Sequence, residues 1–198
     1  MKMRDFLIAA TLLLASGCTG LPGSKPVEQY SYTLNSLPEI EAVKQGGSET
    51  LLVTIPRAHA GYNTPQMAYV DKAHSLGYFA KHRWADTPSQ MIATLLVQCF
   101  ERSSYYKAIS LAPSPVSANL RLDSELVRLH HDFTTKPSRV ELIMRIQIID
   151  RNSGDIIASQ LFSNSTESES DTPYGGVVAA NRALKHTLSA ISEFTIEH

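Results

Sequence analysis

The sequence predicts an α+β fold, in which a mostly antiparallel β-sheet has two long helices packed on one face. Residues 140–148 place apolar side chains at alternate positions, which is typical of a strand with one covered face. A turn pattern over 150–154 then leads into a second apolar run. Two further stretches, beginning at Pro88 and Pro173, repeat apolar residues at helical spacing.

The first half of the domain is expected to contain short strands and one helix. Alternation predicts a strand at 30–34, and the apolar run 51–55 before Pro56 predicts a buried strand. Segments 66–70 and 76–79 resemble the two arms of a hairpin with its turn at 71–75. Asp86 or Thr87 can cap a helix that begins at Pro88 and ends near residue 102. A further strand is predicted at 108–111.

The second half predicts a three-stranded antiparallel meander and a closing helix. The apolar phase changes within 119–133, which indicates a β-bulge in the first strand. Residues 164–171 are acidic and Ser-rich, so we expect a solvated loop that leaves Glu167 and Glu169 unperturbed. For Gly175 and Gly176, a flexible start to the last helix is favoured over an anion site. The apolar stripe predicted for this helix, which runs to about residue 195, comprises Val177, Ala180, Leu184, Leu188 and Ile191.

The N-terminal segment has the pattern of a secretory signal peptide. Lys2 and Arg4 precede an apolar run of about nine residues, far fewer than the roughly 20 that span a bilayer. The Ala-Ser-Gly directly before Cys18 resembles a bacterial lipoprotein lipobox, with Ala15 at the position where Leu is most common. This resemblance implies cleavage after Gly17, a diacylglycerol thioether on Cys18, and acylation of the new amino terminus, typically by palmitate.

The predicted processing divides the chain into three parts. Residues 1–17 are the lipoprotein signal peptide, 18–29 a lipidated flexible tether, and 30–198 a single folded domain. In the lipoprotein class an Asp after the cysteine commonly signals retention in the inner membrane. Thr19 stands there instead and implies the periplasmic face of the outer membrane. The alternative is an ordinary signal peptide that happens to contain a cysteine.

Composition and motifs argue against several classes of function. A net charge of −1 without a basic cluster does not favour nucleic acid as a partner. Cys99 lies in an apolar run, which predicts a buried thiol. His130 and His131 are adjacent on a predicted strand and point to opposite faces, so they are not expected to bind one metal ion. The sequence has no nucleophile elbow and no phosphate-binding loop, and we expect no catalytic residue, metal or cofactor.

Several passages together resemble one known family, the auxiliary lipoprotein component of ABC-type lipid transport systems. This family includes the lipoprotein partners of paraquat-inducible membrane proteins. Within the similar passages we expect Trp84 and Pro88 to form a packed corner at a helix start, and Tyr69 to pack between sheet and helix. All three are interpreted as structural. The similar passages cover essentially the whole domain and, after the lipobox, are 30–34, 51–56, 67–69, 76–80, 83–88, 132–133, 138–142 and 176–183.

The resemblance implies a non-enzymatic envelope protein that works with an ABC permease and ATPase. It also implies an MCE-domain partner that spans the periplasm and carries phospholipid or another lipid, and it is compatible with a homo-oligomer. The lipoprotein would either dock that conduit or receive its lipid. We favour docking because the core accounts for most of the apolar side chains. Two other classes stay open: a scaffold for another envelope assembly complex, and an anchored periplasmic hydrolase.

Overall fold

Nine strands and two long helices make up the part of the chain that the structure, a computed structural model, describes. The described residues are 28–43 and 46–198, so the predicted signal peptide, Cys18 and most of the tether lie outside them. The predicted α+β class is confirmed. In chain order the elements are β1 (Tyr30–Tyr32), β2 (Thr50–Val53), β3 (Arg57–Ala58), a 3-10 turn (Ala60–Tyr62), β4 (Gln66–Val70), β5 (Gly77–Trp84), α1 (Pro88–Ser103), β6 (Ala108–Leu111), β7 (Leu120–Asp132), β8 (Arg139–Asp150), β9 (Ile156–Glu167) and α2 (Pro173–Glu197).

The sheet is built around β7, which is paired along both of its sides. On one side it begins the predicted antiparallel meander β7–β8–β9. On the other side three short strands, β2, β3 and β4, pair with it in parallel. Strand β6 extends the sheet beyond β2, while β5 and then β1 extend it beyond β4. The sheet is therefore mixed: the long pairings are antiparallel, and the short ones, except β4–β5, are parallel.

A β-bulge interrupts β7 between Leu126 and Arg128, within the segment where the change of phase predicts one. Without a bulge, strict alternation would turn one half of this strand away from the helices. With it, Leu126 before the bulge and Leu129 after it are both buried. The same phase brings His131 against the start of α2.

Both helices pack on the same face of the sheet, as predicted. Each begins at a proline, whose missing N–H costs no hydrogen bond in a first turn. Helix α2 lies over β8 and β9, and its entire predicted stripe is buried.

Cys99 of α1 is fully buried, as expected, and its thiol donates to the Leu188 carbonyl of α2 at 3.5 Å. Burial raises the pKa of this thiol to about 12, which keeps it protonated.

Two predictions near the last helix are wrong. Strand β9 continues to Glu167, so the residues after Phe162 extend the meander, and Glu167 pairs with Arg139 at 2.9 Å. The Ser, Asn and Thr residues of this stretch hide the strand because they carry no apolar alternation. The glycine pair lies in the buried first turn of α2. A Cβ on Gly176 would lie 2.5 Å from His131 Nδ1, so this glycine permits close helix–sheet contact instead of flexibility.

Residues 33–43, here called the strap, leave β1 and run across both helices. Asn181 of α2 fixes the start of the strap with three hydrogen bonds. Its Nδ2 donates to the Thr33 carbonyl at 3.0 Å, and its Oδ1 accepts from the backbone N–H groups of Asn35 and Ser36 at 2.9 and 3.2 Å. The strap thereby forms one wall of each of two surface grooves.

Candidate interaction surfaces

The larger of the two strap grooves lies between β1, the strap and the outward side of α2, and is here called the α2 groove. It measures about 480 Å³, within the roughly 300–1,000 Å³ typical of small-molecule sites. It exists because the chain leaves the sheet after Tyr32 and is held at a distance from the helix by Asn181. The lining residues are Ser31, Tyr32, Thr33, Asn35, Ser36, Tyr174, Val177, Val178, Asn181, Arg182 and Lys185.

The α2 groove is positively charged, since two cationic side chains and no carboxylate line it. Arg182 is partly engaged outside the groove, where its guanidinium donates to the Glu167 carbonyl at 3.0 Å and pairs with Glu169 at 3.2 Å. Glu169 lies in the loop after β9, as expected, but this ion pair was not predicted. Lys185 is exposed and has no ion-pair partner among the described residues. Its ammonium group is thus the free charge of this surface.

An aromatic ladder leads from β1 into the α2 groove. His82 of β5 stacks between Tyr30 and Tyr32, with ring centroids 5.1 and 5.8 Å away and planes within 16° of parallel. The Tyr32 hydroxyl is also 3.0 Å from His82 Nδ1, and the Tyr32 ring lies 6.0 Å from that of Tyr174. Burial, followed by the neighbouring Tyr30 and Tyr174, raises the pKa of Tyr32. Because Tyr174 is 62% exposed, the ladder ends at an open aromatic surface.

The second groove lies on the other side of the strap, between the strap and α1. It measures about 410 Å³, and no charged residue lines it. Its lining residues are Thr33, Leu34, Asn35, Met91, Thr94, Leu95 and Gln98. This groove could therefore select a ligand mainly by its shape, whereas the α2 groove could select by shape and by charge.

Strand β9 forms one edge of the sheet and pairs only with β8. Between Asp155 and Glu167 it carries no charged side chain. Three of its large apolar side chains are exposed: Ile156 by 56%, Ile157 by 43% and Leu161 by 49%. In an antiparallel edge strand about every second residue turns its N–H and C=O groups away from the sheet. The β9 edge therefore presents both backbone hydrogen-bonding groups and apolar side chains.

The two adjacent histidines serve different partners. His130 Nδ1 lies 3.0 Å from the Tyr62 hydroxyl, and His131 Nε2 lies 2.9 Å from Ser138 Oγ. Burial lowers the pKa of both imidazoles. Among residues 28–43 and 46–198, no group of three or more His, Cys, Asp and Glu side chains is arranged to hold a metal ion.

The Ser138–His131 pair resembles half of a catalytic triad, but the carboxylate contacts the serine and not the histidine. Ser138 is fully buried, and its hydrogen bond to Asp171 lowers the pKa of that carboxyl. The Ser138 hydroxyl therefore lies between the His131 imidazole and the Asp171 carboxylate. In a triad the carboxylate would instead bind the second imidazole nitrogen. Here that nitrogen, Nδ1, has no hydrogen-bond partner and faces Gly176.

The three residues predicted as structural lie near this region. Trp84 ends β5 and is 4% exposed, and Pro88 is the buried first residue of α1. Tyr69 is half-buried beside Phe79 and Phe133, with ring centroids 4.8 and 6.2 Å away. The aromatic ladder could not be found in the same way, because it depends on β1 pairing with β5 across some fifty residues of sequence.

Comparison with known proteins gives this architecture a family. The family model for the ABC-type transport auxiliary lipoprotein component matches residues 32–192. The chain belongs to this family. As an ABC-type transport auxiliary lipoprotein, it is expected to be a membrane-anchored envelope protein associated with an ABC transporter. No helix in the described part of the chain is both long and apolar enough to cross a bilayer.

Solved structures show that other proteins share the fold of this ABC-type transport auxiliary lipoprotein. Protein XCC0632 from Xanthomonas campestris superposes with a TM-score of 0.77 at 17% identity, over 83% of this chain and 94% of that one. An uncharacterized protein gives 0.67 at 12% identity, over 85% and 99%. The hypothetical protein CT253 from Chlamydia trachomatis gives 0.53 at 9% identity, over 77% and 100%. No curated protein sequence matches the chain.

Proposed function

We propose that this protein is a non-enzymatic docking component of an ABC/MCE-type lipid transport system. A lipid on Cys18 would anchor it to the periplasmic face of the outer membrane. An extended segment of a periplasm-spanning MCE-domain partner would add to the β9 edge, and the ABC permease and ATPase would complete the system. The observation that carries the docking role is the exposed and uncharged β9 edge of a family member.

The β9 edge favours an extended partner segment with apolar side chains at alternate positions. Long, uncharged edge strands are uncommon in proteins that work alone, because they pair with other strands. Strand addition would satisfy the outward N–H and C=O groups and cover Ile157 and Leu161. Near one end of the strand, Arg139 already donates to the Ser165 carbonyl, so we place the partner along 156–163.

Docking is favoured over lipid storage because the interior beneath the sheet is filled. The small cavity next to His131 and Gly176 measures about 20 Å³, room for one water molecule but not for an acyl chain. The hydrolase alternative is disfavoured by the buried Ser138 hydroxyl and by its hydrogen bond to Asp171. A scaffold in another envelope complex would use the same edge and is separated from the transport role by the identity of the partner.

The test is affinity capture of the tagged full-length protein from gently solubilised membranes, with the MCE-domain protein quantified by mass spectrometry. We expect wild type to recover it. The charged, edge-blocking variant Leu161→Lys should recover at least about tenfold less, since a buried lysine opposes strand addition. Val116→Lys is the matched control, because Val116 is 56% exposed and lies outside the sheet. Cys18→Ala tests the anchor in the same assay.

The outcomes separate the candidate functions. Recovery of the MCE-domain protein by Leu161→Lys at the wild-type level would refute docking at β9. Recovery by Cys18→Ala at the wild-type level would retain the partner and reduce the anchor to a means of concentrating the protein. Recovery of a different envelope complex, lost in Leu161→Lys and kept in Val116→Lys, would replace the transport role by the scaffold role.

A further inference from the structure

We propose that the α2 groove binds one anionic phospholipid, with the phosphate beside Lys185 and the first part of an acyl chain against Tyr174 and Val178. The inference rests on the proposed function only in placing the protein at a membrane that contains such lipids. The α2 groove does not include the exposed apolar residues of the β9 edge. An experiment can therefore refute lipid binding at the α2 groove without refuting docking at the β9 edge, and the reverse.

Charge complementarity is the first argument for an anionic ligand. The protein carries a net charge of −1, yet the α2 groove is lined by two cations and no carboxylate. Lys185 lies three positions after Arg182 on α2, so both side chains project from the same side of the helix. Arg182 is held by Glu169, which leaves Lys185 as the ammonium free to meet a phosphate.

The second argument is the apolar surface beside these cations. Tyr174 and Val178 lie two turns and one turn before Arg182 on α2, and Tyr32 faces them from the opposite wall. Their rings and methyl groups continue the aromatic ladder into the groove. A ligand that covers both regions must carry an anionic group next to an apolar chain, which describes an acidic phospholipid.

Size and position agree with this ligand. At about 480 Å³ and open to solvent, the groove can hold a headgroup and part of one chain while the remainder stays in the bilayer. The first described residue, Glu28, is two residues before the ladder. Nine residues separate Glu28 from Cys18, so a lipid on Cys18 would lie within about 35 Å of Glu28 and would keep the groove near the membrane. A free phosphate would gain only the ionic contact and would leave the apolar wall uncovered.

Photo-crosslinking of the full-length protein in phosphatidylcholine vesicles tests the inference. The vesicles contain a trace of phosphatidylglycerol with a photoactivatable acyl chain, or phosphatidylcholine with the same chain, and labelled peptides are mapped by mass spectrometry. We expect phosphatidylglycerol to label α2 between Tyr174 and Lys185, and phosphatidylcholine to label it at least about fivefold less. Lys185→Glu should reduce labelling about tenfold, since it turns an attraction into a repulsion.

Two controls make the result specific. Lys107→Glu reverses another exposed charge, outside the α2 groove, and should label like wild type. Tyr174→Ser, at a position that is 62% exposed, should weaken labelling without changing the melting temperature. Equal labelling of wild type and Lys185→Glu would overturn the inference, as would equal labelling by both lipids or none by phosphatidylglycerol. Loss of labelling in excess inorganic phosphate would also overturn it, in favour of a free-anion site.

Discussion

The two sides of β7 are held in different ways. On one side, β8 and β9 are each twelve residues long and form long antiparallel ladders beneath α2, each with one register shift. On the other, β2, β3 and β4 have four, two and five residues, and each pairs with only part of β7. We call these the ladder side and the short-strand side. The ladder side packs mainly against α2, and the short-strand side, through β2 and β6, against α1. Only the ladder side gains most of its order from regular strand pairing.

On the short-strand side, side-chain hydrogen bonds join neighbouring strands, as backbone hydrogen bonds do between β7, β8 and β9. Thr54 Oγ1 donates to the Leu122 carbonyl at 3.0 Å, and Asn119 Oδ1 accepts from the Thr50 hydroxyl at 2.7 Å. The aromatic ladder and the strap belong to this side as well. Regions held by few backbone bonds open at lower free energy, which suits surfaces that must adjust to a ligand. The β9 edge, at which we propose that the partner docks, lies instead on the ladder side.

The largest effect that tests this comparison is core truncation on each side. Leu142 of β8 and Leu51 of β2 are both 1% exposed. We expect Leu142→Ala to lower the free energy of unfolding by about 2–5 kcal/mol and to shift the whole denaturation curve. Leu51→Ala removes a similar contact, but its cost should appear first as local opening of β2 and β6.

Hydrogen exchange combined with denaturant titration distinguishes these responses. In Leu51→Ala, amides of Thr50–Val53 should exchange faster while those of β8 keep their protection. In Leu142→Ala, all strands should lose protection together. If Leu51→Ala instead accelerates exchange equally in β8, the two sides open as one unit and the contrast drawn between them is wrong.

The next effect concerns the seam where α2 meets β7. Gly176→Ala would place a Cβ 2.5 Å from the buried His131 ring. Overpacking costs about 1–3 kcal/mol, and replacing a helical glycine returns up to about 1 kcal/mol, so we expect a net loss of about 1–2 kcal/mol. Thermal or urea unfolding measures it.

A double variant isolates the cause of that loss. In a His131→Ala background the clash is gone, and Gly176→Ala should be neutral or stabilising because only the helix propensity remains. If the cost of Gly176→Ala is the same in both backgrounds, it does not arise from contact with His131.

A smaller effect is expected where the strap crosses α2. Asn181→Ala removes three hydrogen bonds to the strap, and we expect a cost of about 1–2 kcal/mol that is confined to strap opening. Asn181→Asp is the matched control, because its carboxylate still accepts from Asn35 and Ser36 but cannot donate to Thr33. Exchange of the Asn35 amide should accelerate strongly in Asn181→Ala and weakly in Asn181→Asp. Equal acceleration in both variants would show that the Thr33 contact alone holds the strap.

The same contrast explains what could be predicted from the sequence. The ladder side was predictable because apolar residues alternate through β8 and because one change of phase marks the bulge near Leu126. The end of β9 was missed because Ser163, Asn164 and Ser165 are polar on both faces, so its strand character comes from pairing with β8. Period-two patterns indicate which face is buried but not which strand lies alongside.

The candidate sites were harder to predict, for a related reason. The α2 groove needs Tyr32 and Lys185 to meet across most of the chain, and neither residue is unusual in its local sequence. Arg139 and Glu167 likewise become partners only through the register of β8 and β9. Cys99 was placed correctly because an isolated cysteine in an apolar run needs no partner to be identified as buried.

The smallest effect expected is a pH dependence at the seam, through His131. Burial lowers the pKa of this imidazole, although Asp171 and Asp132 act in the opposite direction and His130 adds to the lowering. The folded protein therefore keeps His131 neutral while the unfolded chain binds a proton near pH 6.5. Because the unfolded state binds more protons, stability should fall as the pH is lowered through about 6.5 towards the depressed pKa. Urea unfolding at a series of pH values measures this slope.

Two variants assign the slope to the seam. His131→Gln should flatten the decline between about pH 7 and 5, leaving the contribution of His130, whose pKa burial also lowers. His74→Gln, in the exposed turn between β4 and β5, is the control and should leave the slope unchanged. An unchanged slope in His131→Gln would mean that His131 is protonated equally in both states. The seam would then have to open enough at mild acid to hydrate the imidazole, and β7 would lose its His131 contact with α2.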